Sequence, residues 1–141
     1  MHSKNTDDLC QELMEKDNLD SYLQTNCTQF LHQDIAELLT ALYDKKSISK
    51  AALARESGMS EVYLHQVFSG RRRPSRDRIL CLCIGLNATL EETQLLLKRA
   101  GYAQLYPKLQ RDSIVIHGLI HHTPLTVIND NLFARNEKTL F

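Results

Sequence analysis

Residues 50–70 read KAALARESGMSEVYLHQVFSG. Two short helical patterns flank a tight turn at Ser57-Gly58-Met59. Ala51, Leu53 and Ala54 supply a small apolar face before the turn; Val62, Leu64, Val67 and Phe68 supply one after it. Gly58 lets the backbone reverse with φ > 0 at no steric cost. Ser60 stands where a helix N-cap belongs, and Glu61 follows it, favourably placed against the helix dipole. Small residues before the turn let the two helices approach closely.

This is the helix-turn-helix pattern, whose second helix enters the DNA major groove. Gly70 ends that helix, and Arg71-Arg72-Arg73-Pro74-Ser75-Arg76-Asp77-Arg78 follows. Five arginines in eight residues beside such a helix make a phosphate-binding patch. Residues 31–92 resemble the DNA-binding domain of the phage repressor/Cro (XRE) family. The matching features are Leu53-Ala54, Gly58-Met59-Ser60, Ser69-Gly70-Arg71 and Pro74-Ser75. The chain is also similar to bacterial XRE-like regulators that carry Phe-Ser-Gly-x-Arg-x-Pro-Ser-Arg-Asp, here Phe68 to Asp77. They share Gly-Tyr-Ala-x-Leu-Tyr-Pro, here Gly101 to Pro107.

The wider composition fits a helical chain. The 141 residues include five glycines, three prolines and 43% hydrophobic residues, enough for a core. No apolar run approaches the roughly 20 residues that span a bilayer. The polar, acidic N-terminus does not read as a signal peptide, and the expected compartment is the cytoplasm. Cys10, Cys27, Cys81 and Cys83 form no C-x-x-C pair and are read as buried, reduced thiols. Cys81 and Cys83, two apart in a helix, should point to different faces.

Net charge is zero, but its distribution is uneven. Residues 1–44 hold nine acids and two bases, or −7; residues 45–78 hold nine bases and three acids, or +6. Residues 79–141 hold six bases and five acids, or +1. The positive block coincides with the helix-turn-helix, and local field governs a DNA footprint.

Along the chain, Thr6 is placed to cap a helix over residues 7–16, and Asn18 interrupts it before a short helix over about 19–25. Thr28 opens a helix with Leu31, Ile35, Leu38, Leu39 and Leu42 on one face. Ser75 caps a helix carrying Ile79, Leu80, Leu82, Cys83 and Leu86, which stops near Gly85. Thr89-x-x-Glu92 is a capping box for a helix with Leu90, Leu95, Leu96 and Leu97, ending at Gly101. Residues 111–140 then align with 76–105 at a constant offset of 35. Arg76/Arg111, Asp77/Asp112, Ile79/Ile114, Leu90/Leu125, Leu97/Leu132 and Leu105/Leu140 are identical. Gly101 aligns with Asn136, both suited to a left-handed helix stop. A repeated hairpin is predicted, with helices at about 111–121 and 124–135.

The expected fold is all-α: a repressor-like five-helix helix-turn-helix domain (28–105), an acidic N-terminal helical extension (1–27) and a C-terminal helical hairpin (106–141) on the same core. The resemblance implies sequence-specific DNA binding by a bacterial or phage-type transcriptional regulator, a repressor, with residues 60–69 as recognition helix. By position, Glu61, Val62, Tyr63 and Gln66 would reach base edges, with His65 less well placed. Gln66 can bond adenine through both amide groups, Val62 can meet a thymine methyl, and Glu61 can accept from cytosine N4. Plainer roles compete: packing for Tyr63, the helix dipole for Glu61, an ordinary surface position for Val62. Lys50, Ser60, Arg71, Arg72 and Arg73 would contact the DNA backbone. Arg76 and Asp77 recur as Arg111 and Asp112 away from that face, which suggests a structural role at helix starts.

The expected partners are double-stranded DNA and a second copy of the chain, with Phe133, Leu140 and Phe141 as candidate dimer residues. The acidic segment or the C-terminal hairpin could also bind a protein. An interaction module, antitoxin or adaptor, on the same scaffold is the alternative. His117 and His121 share a helical face, but no further ligand has helpful spacing, so no metal is expected. No cofactor and no catalytic constellation is indicated, and the chain does not read as an enzyme.

Overall fold

The computed structural model describes residues 4–26 and 34–141. Among the described residues, nine helices and no strand form. They belong to two compact units, Met1–His32 and Gln33–Phe141.

In the first unit, α1 (Thr6–Glu15) packs on α2 (Leu19–Thr25). Asn5, not Thr6, caps α1: its side chain accepts from the Asp8 N–H at 2.7 Å, while Thr6 is already helical. Asn18 caps α2 in the same way, so the interruption is a helix start. The buried Asn26 donates to Glu12 at 2.6 Å and accepts from Lys4 at 2.6 Å. Lys4 also pairs with Glu12; that hydrogen bond, helped by Asn26, holds the Glu12 carboxyl below its ordinary value. Cys10 is exposed, contrary to the expectation of uniformly buried thiols: α1 has no buried residue.

The second unit begins with α3 (Ile35–Asp44), capped by Asp34 through the Ala36 N–H. The helix start expected at Thr28, with Leu31 on its face, lies outside the described residues, as does Cys27. Then follow α4 (Lys50–Glu56), α5 (Glu61–Phe68), α6 (Arg76–Gly85) and α7 (Leu90–Arg99). Ser49, Ser60, Ser75 and Thr89 cap these four, each accepting a backbone N–H from the first turn. At Thr89 the capping box is complete, with Glu92 Oε1 accepting the Thr89 N–H at 2.9 Å and Thr89 Oγ1 the Glu92 N–H at 3.0 Å. The carboxyl of Glu92 is held low first by that N–H and next by Lys46, 2.9 Å away.

Helix α6 lies at the centre. Every residue from Ile79 to Gly85 is buried. A helix apolar all round belongs inside a protein, and α4, α7 and α9 (Leu125–Ala134) pack around this one. Cys81 and Cys83 therefore both lie in the core even though they point to different faces, and burial pushes each thiol up to about 12. Gly85 marks the closest approach of α4: a Cβ there would stand 3.1 Å from Leu53 Cδ1 and 3.2 Å from Ser57 N.

Helices α8 (Gln110–Ile120) and α9 share one apolar cluster with α3–α7. The 35-residue repeat reappears in hydrogen bonds. Arg76 Nε donates to Ala103 C=O at 2.8 Å, and Arg111 Nε to Lys138 C=O at 2.8 Å. Gln94 Oε1 accepts the Leu105 N–H at 2.7 Å, and Asn129 Oδ1 the Leu140 N–H at 2.8 Å. Asn87 and His122 have φ of 53° and 52°, and Gly101 and Asn136 have 82° and 59°. One difference has a simple cause. Gln94 Nε2 reaches the Leu105 carbonyl, but Asn129, one methylene shorter, leaves its buried Nδ2 without a partner.

The buried thiols should resist a thiol reagent under native conditions while Cys10 reacts, and unfolding should expose Cys81 and Cys83; counting modified cysteines by mass spectrometry checks this. Glu92 titrates below its unfolded value, so its contribution is present above about pH 5 and is lost as pH falls through the folded value. E92Q should lower stability at neutral pH by about 0.5 kcal/mol and flatten the acid limb of a pH–stability curve. An acid limb as steep as wild type would count against this assignment.

Candidate nucleic-acid interface

The turn between α4 and α5 sets the interface. Ser57 is fully buried and its hydroxyl donates back to Leu53 C=O at 2.6 Å, closing α4. Gly58 follows with φ +69°, and Met59 is buried beneath the turn. The ring of Phe141 lies over Gly58, with Cε1 2.8 Å from where a Cβ would stand. Ser60 then accepts the Tyr63 N–H at 3.1 Å and starts α5.

Helix α5 buries Leu64 and Val67 and turns the opposite side outward. At 100° per residue, Val62 lies at the middle of the outward face, flanked by Glu61 and His65 on one side and by Gln66 and Tyr63 on the other. Val62 is 69% exposed, so it does not belong to the apolar face assigned to it from sequence. Ala51, too, is exposed rather than part of the α4 face, which rests on Leu53 and Ala54. Tyr63 and Gln66 are half-buried at the edge. His65 and Ser69 are exposed on the outward face. Ser69, seven residues on, falls within about 20° of Val62.

The arginines divide into two groups. Arg73 Nη2 donates to Ala100 C=O at 2.8 Å and its guanidinium lies 5.2 Å from the Tyr102 ring centre. Tyr102 in turn donates its hydroxyl to Pro74 C=O at 2.7 Å. Arg76 holds the Ala103 and Gln104 carbonyls. These two therefore tie the loop after α5 to the segment after α7. Arg72 and Arg78 instead lie 5.4 and 5.5 Å from the Tyr63 ring centre, beside α5. Arg71 is exposed at its C-terminal end.

Lys50 opens α4, but its ammonium rests 3.3 Å from the Phe68 ring centre and 4.2 Å from that of Tyr43. Those two rings meet edge to face at 5.6 Å. Burial lowers the Lys50 pKa, opposed by Asp44. Cation–π contact thus fastens the start of α4 to the end of α5. Elsewhere, His117 and His121 bring their rings to 4.2 Å, and among the described residues no three His, Cys, Asp or Glu side chains gather as a metal site. Leu140, a candidate dimer residue from sequence, is 2% exposed because it fills the core beneath Asn129; Phe133 and Phe141 are 78% and 56% exposed.

Gly58→Ala should cost about 1–2 kcal/mol by chemical denaturation, from positive-φ strain and the clash with Phe141. In a Phe141→Ala background the cost should fall but not vanish. Equal costs in the two backgrounds would contradict the ring contact.

Comparison with known proteins agrees with this geometry. The family model for a helix-turn-helix domain matches residues 34–96, which span α3 to most of α7. No curated protein and no solved structure gives a significant match. The matched stretch contains the cap at Asp34, the Gly58 turn, the outward face of α5 and the capping box. Residues 34–96 of this chain are thus similar to a helix-turn-helix domain, the pattern that Gly58 and its flanking helices build.

Proposed function

We propose that this protein is a sequence-specific DNA-binding transcriptional regulator, a repressor that occupies its operator with α5 in the major groove. The observation that carries this reading is the outward face of α5 within a matched helix-turn-helix domain. Its centre, Val62, is uncharged and exposed, suited to a thymine methyl, and Gln66 beside it can read adenine. Glu61 and Tyr63 complete the base-reading set, and His65 joins it by position.

Ser60, Arg71 and Arg72 form the backbone-contacting rim in this proposal. Lys50 and Arg73 are assigned positioning roles as well, since each already holds an aromatic ring or a carbonyl. Residues 28–105 would form the DNA-binding portion, with 1–27 and 106–141 as appended helical segments. Two copies would bind half-sites one helical turn apart, roughly 34 Å. The exposed Phe133 and Phe141 are the surface we assign to that pairing. Such a regulator acts in the cytoplasm on DNA and binds rather than catalyses.

Fluorescence anisotropy with the DNA upstream of the gene and with scrambled DNA, across a salt series, tests the proposal. Tight binding only to the upstream DNA, with a steep salt slope, is expected. Arg71→Ala and Arg72→Ala should each flatten the slope of log K against log salt by about 0.9. Gln66→Ala should cost about 1–3 kcal/mol on the specific site and little on scrambled DNA. Equal, weak binding to both DNAs at low salt would overturn the operator assignment and favour a protein-binding role for the same scaffold.

A further inference from the structure

The repeat carries an inference of its own, independent of DNA. Arg76 pairs with Asp112, Nη2 to Oδ2 at 3.1 Å. Arg111 pairs with Asp77, Nη1 to Oδ1 at 3.0 Å. Both contacts are two-pronged, and Asp112 is almost fully buried. The pairs are reciprocal: each hairpin gives its arginine to the other's aspartate. Stacking by translation cannot do this. It would set the first arginine against the second aspartate and leave the second arginine for a third repeat. Reciprocity requires a rotation that closes, as in an isologous interface.

Helix packing says the same. Within the unit, α6 packs on α9 and α7 packs on α8. A two-fold that exchanges α6 with α8 and α7 with α9 turns the first contact into the second. Two independent observations, one electrostatic and one of packing, thus define the same operator.

We infer that the face of α6–α7 covered by α8–α9 is a self-association surface, whose partner is a second copy of the same hairpin. The chain supplies that copy from its own sequence. The surface is self-complementary because each hairpin begins Arg-Asp, and under the two-fold an arginine always meets an aspartate. One closed unit therefore presents one α5. Any pairing of units on DNA must use a surface other than this one.

The full-length variant R76D/D77R tests this. Within the chain, the new carboxylate at position 76 faces Asp112 and the new guanidinium at 77 faces Arg111, so both pairs repel. Between two copies, first hairpin against first hairpin, the new carboxylate of one meets the new guanidinium of the other. Sedimentation equilibrium across the micromolar range should give twice the wild-type mass. The fourfold variant R76D/D77R/R111D/D112R restores complementarity inside the chain and should return to the wild-type mass. Wild-type mass for R76D/D77R at every concentration, or a doubled mass in the fourfold variant, would overturn the inference.

The second variant is R111D/D112R: by the same two-fold its second hairpin is complementary to that of another copy, so it too should double the wild-type mass. Failure of both variants to fold, by circular dichroism, or to associate would overturn the inference.

Discussion

Helix α6 must be buried on every side, and this constraint organises the second unit. A ten-residue helix with seven consecutive buried positions cannot stand at a surface. Three other helices have to cover it. Helix α4 covers one side, and Gly85 lets it approach within contact of Leu53 and Ser57. Helix α7 covers another from the same hairpin. The third side belongs to α9, from the second hairpin. A helix-turn-helix domain ending at α7 would leave that side of α6 in water, with apolar surface exposed at a cost of about 25 cal/mol per Å².

The constraint passes outward to the candidate DNA face through short links. Arg73 and Arg76, at the entrance to α6, hold carbonyls of the segment after α7. Phe141, at the end of the second hairpin, lies over Gly58 in the turn. Lys50, between the rings of Tyr43 and Phe68, joins three helices of the domain at one point. Helix α5 is only eight residues long and would not hold its shape alone. Its position comes from these attachments and from Leu64 and Val67 in the core.

Much of this was legible in the sequence for physical reasons that act locally. Caps at Ser60, Ser75 and Thr89 depend on hydrogen bonds within one turn. The positive φ at Gly58 depends on one missing Cβ. The 35-residue offset was visible because paired hairpins reuse the same residues at helix starts and stops. Errors came where the deciding contact was distant or the choice was between neighbours. Asn5 displaced Thr6 as a cap because both residue types suit the position. Val62 reads as part of the apolar face because valine is apolar, but its helical angle points outward, where the base-reading expectation also puts it. Leu140 reads as a surface residue, since nothing nearby along the chain indicates that Asn129 and the core receive it.

The sequence by itself determined most of the helices, the caps at Ser60, Ser75 and Thr89, the Gly58 turn and the repeat, because backbone hydrogen bonding and side-chain periodicity are short-range properties. Tertiary structure alone decided which arginines hold the protein together. Five arginines in eight residues look alike along the chain. Arg73 and Arg76 each hold a carbonyl 27 residues away, although Arg73, like Arg71 and Arg72, stays exposed. It also decided that Arg76 answers Asp112 while Arg111 answers Asp77. A repeated Arg-Asp pair is compatible with stacking or with closure, and only the relative orientation of two packed hairpins selects between them.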